Sequence, residues 1–121
     1  MKREIKNRVG AERRGRRAEA LAAWYLRLHG WRIVGTRCRT RLGEVDLVAR
    51  RGKVLAFVEV KARSSSEAAE QSLDRQRLRR VAAAAELLLP RFGKGAETVR
   101  IDVIHIVPRR WPRHLVDVWQ G

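Results

Sequence analysis

A single cysteine, Cys38, stands in the 121 residues, so there is no partner for an internal disulfide and no thiolate set for a structural zinc site. No run approaches the roughly 20 apolar residues of a membrane-spanning helix. Met1-Lys2-Arg3-Glu4 is not followed by the apolar stretch of a secretory signal, so the chain is expected to be cytoplasmic, with no membrane partner. His29, His105 and His114 are scattered without metal-ligand spacing, and no chemistry is assigned to them. The length and the 45% apolar composition suit one compact domain, residues 1–121, with 1–8 expected as a flexible basic tail.

Acidic residues are also in short supply: 13 Asp and Glu face 28 Lys and Arg, leaving a net charge of +15. Such an excess concentrates polyanions around a protein, and counterion release from phosphate adds sequence-independent affinity. Nucleic acid is therefore the leading partner, with an anionic membrane surface as the lesser alternative. Of the basic residues 23 are arginines, whose planar fork grips phosphate with two hydrogen bonds. A GC-rich coding sequence would account for the Arg to Lys ratio, but not for the net excess.

Along the chain, residues 9–29 read as a helix with Ala18, Leu21, Ala22, Tyr25, Leu28 and His29 on its apolar stripe, closed by Gly30. Trp31 to Val34 is a short apolar run, and Thr36 to Arg41 reads as a basic loop or frayed strand end. Leu42–Ala49 and Val54–Ala62 read as a hairpin about Gly52. A second helix, starting at Glu67 or Leu73, carries Leu78, Val81, Ala82, Ala85, Leu88 and Leu89 inward and stops at Pro90. Thr98–Val107 is β-branched, and Leu115–Trp119 is a candidate partner for it across a turn at 108–113. The order α-β-β-β-α-β-β predicts an α/β fold, a mixed sheet flanked by helices.

The chemistry gathers in the hairpin. Period-two alternation puts Leu55, Phe57, Glu59, Lys61 and Arg63 on one face of the second strand and Val54, Ala56, Val58, Val60 and Ala62 on the other. Both faces are apolar at first, the mark of a central strand, and Glu59 and Lys61 emerge at its far end. A two-residue turn led by Gly52 pairs Arg51 with Val54, and then sets Asp46 opposite Glu59 and Glu44 opposite Lys61. A three-residue turn would send Asp46 to the other face. Opposed carboxylates need a cation between them, and oxygen donors suit Mg²⁺ or Mn²⁺. The competing view of Glu59 and Lys61 is an exposed cross-strand ion pair. Trp24 and Trp31 are expected in the core rather than as base-stacking platforms, while Trp111 and Trp119 are left open.

Gly43-Glu44-Val45-Asp46-Leu47, then Phe57-Val58-Glu59-Val60-Lys61-Ala62-Arg63, with Ala18-Glu19, Leu26 and Gly30 ahead of them, resembles the YraN-like family of small, largely uncharacterised bacterial proteins. That family is similar to the PD-(D/E)XK superfamily, whose restriction-endonuclease-like fold includes archaeal Holliday junction resolvases. The resemblance spans about Gly10 to Val107. It implies that Asp46 and Glu59 bind Mg²⁺ with the Val60 carbonyl as a further ligand, that Lys61 orients or activates water, and that Glu19 reaches toward the same site. By its position alone, at the edge of the apolar stripe, Glu19 better suits an ordinary boundary residue of the first helix. Arg75-Gln76 stands where the family usually has Lys-Gln. Asp102, in an Arg-x-Asp-Val pattern, is read as structural support.

The expected activity is metal-dependent endonucleolytic hydrolysis of DNA, with branched or repair intermediates as candidate substrates. The alternative is a binding module that keeps the nuclease fold without turnover, and an RNA-binding role is a third reading. Expected nucleic-acid contacts are Arg14, Arg17, Arg39, Arg41, Arg63, Arg75 and Arg79, drawn from the basic clusters around the hairpin and on both helices. A homodimer would place two sites on one junction.

Overall fold

The computed structural model describes residues 2–64 and 75–120, with side chains from Gly15 onward. Its elements are α1 (Lys2–Leu28), β1 (Arg32–Thr40), β2 (Gly43–Arg51), β3 (Val54–Ala62), α2 (Arg75–Phe92), β4 (Thr98–Ile106) and β5 (Arg113–Leu115). They form one five-stranded sheet in the order β1-β2-β3-β4-β5. Its pairings are antiparallel except for β3 with β4, which are parallel and joined through α2. The expected order of elements is the observed one. The start expected for the second helix lies outside the described residues.

Helix α1 reaches back to Lys2, through the segment expected as a flexible tail, because Lys2 to Arg8 holds no glycine or proline to stop it. Its far end is closed as expected at Gly30, at φ 84. The Trp31 amide donates to the Leu26 carbonyl at 2.9 Å and the Gly30 amide to that of Arg27 at 3.1 Å, the paired bonds of a Schellman cap. Of the expected stripe Ala18 and Ala22 are buried, joined by Ala23 and Leu26, whereas Leu21 and Leu28 are exposed. Small alanines let the helix axis lie close to the sheet, and the larger leucines turn outward. Ala22, Ala23 and Leu26 meet Trp31, Leu47, Ala49, Ala56, Val58 and Ile104 there. Trp31 is in the core, whereas Trp24 is 50% exposed and not the core residue expected.

On the opposite face α2 lays Leu78, Val81, Ala84, Ala85 and Leu88 over Val45, Val48, Leu55, Phe57, Ile101 and Val103. Leu89, expected inward, is exposed. The helix also runs through Pro90 to Phe92 rather than ending there. A proline so near the end removes one amide bond of the last turn, and the Gly93 amide still closes onto the Leu89 carbonyl at 2.7 Å. Gly43 explains how α2 comes so near the start of β2: a Cβ there would meet the Arg80 carbonyl oxygen at 2.7 Å.

Three features of the sheet bear on the site. The β2–β3 turn has a positive φ at Gly52 (60) and not at Lys53, and Arg51 pairs with Val54, so the two-residue register holds. Thr36 to Thr40, expected as a loop or frayed strand end, is the outer half of β1. It is an edge strand whose outward residues are basic and whose Cys38 is buried, so its apolar pattern is too thin to read locally. Last, β5 is only Arg113–Leu115, not the longer strand expected to 119. Asp117 at φ 54 turns the chain, its amide donating to Asp102 Oδ1 at 2.9 Å.

Candidate functional site

The site forms where β2 and β3 part. Their ladder runs from Arg51↔Val54 to Leu47↔Val58 and stops. The next position on each strand is Asp46 and Glu59, the pair the register predicted. Val45 joins the core under α2 while Leu47, two residues on, joins the core under α1. Regular alternation would place both on one face, so β2 twists at Asp46. The neighbouring β1 is irregular at the same level, with Arg37 at φ 47. Freed from the ladder, the Asp46 carboxylate takes the place of a strand partner: the Val60 amide donates to Asp46 Oδ2 at 2.8 Å.

Burial pushes the Asp46 carboxyl up to about 6. The Val60 hydrogen bond works against this, and the charges of Glu19, Glu59 and Glu44 add to it. Four acids from α1, β2 and β3 therefore share one electrostatic neighbourhood. Glu59 is buried, with Oε1 2.5 Å from Arg77 Nε. Its Oε2 is buried with no hydrogen-bond donor among the described residues. Lys61, two residues further along β3, is 3% exposed and lies beside His105 of β4 in the parallel register. Glu19 reaches in from α1, and its Oε2 accepts from Arg37 Nε at 2.8 Å. Glu19 raises the Arg37 pKa further, so that guanidinium stays charged.

Glu44 is not opposite Lys61. With the β2–β3 ladder ended, it pairs with Arg39 of β1, the side chains 3.7 Å apart. Of the expected nucleic-acid contacts, Arg14 lies outside the described side chains. Arg17, Arg39, Arg41, Arg75 and Arg79 are exposed, and Arg75 stacks on Trp119 with 5.1 Å to the ring centroid. Arg63 is half-buried and donates to the Ala62 carbonyl at 2.8 Å. The guanidinium groups that engage Glu19 and Glu59, Arg37 and Arg77, belong to the basic clusters read from the sequence but not to the expected nucleic-acid contacts. Arg77 sits one residue before the buried Leu78, which could have marked the helix face nearest the sheet.

The donor set is partly suited to a divalent cation. Glu59 Oε2 is a buried oxygen awaiting a positive partner, and Asp46 is crowded by like charges. Among the described residues, however, no three His, Cys, Asp or Glu side chains converge in a metal-holding group. None of the described helices is long and apolar enough to cross a membrane.

The sheet order, the parallel β3–β4 crossover and the flanking helices define a restriction-endonuclease-like, resolvase-like fold. The solved structure of Hjc, a Holliday junction resolvase from Archaeoglobus fulgidus, matches with a TM-score of 0.57 at 20% identity, covering 83% of this chain and 73% of that one. The chain belongs to the uncharacterised protein family UPF0102, whose model matches residues 18–106. A UPF0102 protein of Rhizorhabdus wittichii is 61% identical over 117 residues, 97% of this chain and 99% of the relative. One from Erythrobacter litoralis is 48% identical over 120 residues, 99% of each. The matched span contains Glu19, Asp46, Glu59 and Lys61, and the resemblance drawn from the hairpin motifs is borne out.

Proposed function

We propose that the chain is a divalent-metal-dependent nuclease that hydrolyses phosphodiester bonds in DNA. One observation carries the reading: Asp46 and Glu59 sit at facing positions just past the end of the β2–β3 ladder, Glu59 Oε2 has no donor among the described residues, and burial, with neighbouring acids adding to it, pushes the Asp46 carboxyl up to about 6. Buried carboxylates crowded in this way are unfavourable without a cation between them. Asp46 and Glu59 would hold Mg²⁺ or Mn²⁺, with the Val60 carbonyl and Glu19 as further oxygen donors. When bound, such an ion lowers the pKa of coordinated water and offsets charge on the phosphate under attack.

The chain's own residues supply the rest. Lys61 shares the Glu59 face of β3, and its ammonium donates to the attacking water or to a phosphate oxygen. Arg77 and Arg37 flank the acids, and their guanidinium forks fit a phosphate. The surrounding net charge of +15 draws the DNA in.

Labelled linear and branched DNA incubated with Mg²⁺ or Mn²⁺ tests the reading. Wild type is expected to cleave, and Asp46→Ala and Lys61→Ala are each expected to lose at least roughly 100-fold in rate. Cleavage that survives both substitutions overturns the assignment. A second reading, a binding module without turnover, is favoured by the Arg77 contact that already engages Glu59. Retained DNA binding with no cleavage by the wild type would select it, and RNA competition at fixed salt separates either reading from an RNA-directed one.

A further inference from the structure

An open groove of about 1170 Å³ runs beside the site, between α1, the end of β3 and the 107–112 loop. Among the described residues its lining contains five arginines (Arg17, Arg63, Arg77, Arg109 and Arg110) and no acidic residue, although the site next to it is crowded with carboxylates. Two tryptophans also line it: Trp24, on the outward stripe of α1, and Trp111, 50% and 75% exposed respectively. Large aromatic rings left in water beside a cluster of guanidinium groups are unusual on a surface that has only packing to do. Trp111 is held out by a tight turn, bracketed by Pro108 and Pro112. Arg109 takes φ 63 there, and the Arg110 amide donates to the Val107 carbonyl at 3.2 Å. The presentation is therefore rigid, and the loop lies beyond the span matched by the family model.

We propose that this groove holds an unpaired stretch of DNA strand, with bases stacked on Trp24 and Trp111 and phosphates paired to the arginines. Base stacking on aromatic rings beside a cationic track is how single strands are held without sequence preference. A blunt duplex keeps its bases paired and offers nothing to the tryptophans. Arg77 belongs both to the groove and to the Glu59 contact, so a strand in the groove would lead into the acids. The inference rests on the nuclease reading for its choice of DNA, and it narrows the substrate class to DNA carrying an unpaired segment. A second copy of the chain is the weaker occupant, because a symmetric docking would oppose two sets of arginines with no acid between them among the described lining residues.

The full chain is titrated, in EDTA and at fixed salt, against fluorescent oligo-dT of about twelve nucleotides, oligo-rU of the same length and a blunt duplex. Trp24→Ala and Trp111→Ala are each expected to weaken oligo-dT about tenfold, with duplex affinity changed less than about twofold and Trp111→Phe recovering most of the loss. Tryptophan fluorescence is expected to be quenched by oligo-dT. Equal effects on oligo-dT and duplex, or none on either, overturn the proposal. Tighter binding of oligo-rU overturns its DNA assignment. A dimer in sedimentation that Trp111→Ala dissociates, with oligo-dT affinity unchanged, gives the groove to self-association. Because no metal is present, a failed cleavage assay leaves this outcome untouched. Conversely, loss of groove binding with duplex cleavage intact would remove this proposal and leave the nuclease reading standing.

Discussion

Two buried carboxylates in the same sheet are treated in opposite ways. Asp102 on β4 is fully buried and surrounded by donors: His114 Nε2 at 2.7 Å, the Asp117 amide at 2.9 Å and Arg100 Nε at 3.1 Å. Burial raises its pKa, but the His114 and Asp117 hydrogen bonds and the Arg100 charge outweigh that and hold the carboxyl below its ordinary 3.8. Asp46 accepts from the Val60 amide, and burial together with the charges of three acids outweighs that bond and pushes its pKa up. Asp102 is a satisfied group that ties β4 to the C-terminal segment, whereas Asp46 is kept in a state that a cation would relieve. A carboxylate left under-compensated by the fold is the better candidate for chemistry.

Removing the donors' shared acceptor should have the largest effect on stability. Asp102→Ala leaves Arg100, His114 and the Asp117 amide without it, and urea unfolding should show a loss of about 3–5 kcal/mol. The matching substitution at the site should have the opposite sign. The rise of Asp46 from 3.8 to about 6 means that its stabilising contribution is full below pH 3.8 and is lost as pH climbs through 6. Asp46→Asn, which keeps an acceptor for Val60, is then expected to stabilise the metal-free protein at pH 8 by up to about 3 kcal/mol, with the gain fading below about pH 4. Asp102 runs the other way, its contribution present above 3.8 and lost as pH falls through its lowered value. If both aspartate-to-asparagine variants lose stability alike at pH 8, the contrast between the two groups is broken.

Two smaller effects sharpen it. Gly43→Ala would press a methyl to 2.7 Å from the Arg80 carbonyl and shift α2 over the acids. A loss of about 1–3 kcal/mol is expected in thermal unfolding. Arg39→Ala breaks the exposed contact with Glu44 and should change stability by less than about 0.5 kcal/mol in the same measurement, because solvent screens that pair.

Residues whose environment is set by near neighbours were legible. Gly52 marked the turn and offered a two-residue register that brings Asp46 level with Glu59, which the pairing of Arg51 with Val54 selects over the three-residue one. The double-sided apolar run of Val54 to Val58 announced a central strand, and Gly30 announced a helix cap. The misreadings share a cause. Leu21 and Leu28 matched a helical stripe as well as Ala22 and Leu26 did, and only the closeness of the sheet favoured the alanines. Thr36 to Thr40 is a strand because β2 pairs with it, and its own pattern of basic residues says little. The placing of Glu44 opposite Lys61 extends a register that ends three residues short of both, at Leu47 and Val58.

By itself, the sequence determined the order of elements, two candidate hairpin registers and the acids and lysine at the open end, because turn geometry and period-two alternation act over a few residues; the structure chose the two-residue turn. Only the tertiary structure decided that β2 twists at Asp46, that Arg37 and Arg77 arrive from β1 and α2 to meet Glu19 and Glu59, and that Trp24 is turned outward toward Trp111. Those contacts join segments 18 to 87 positions apart in the chain. Their energies depend on distances between elements, which local periodicity does not encode.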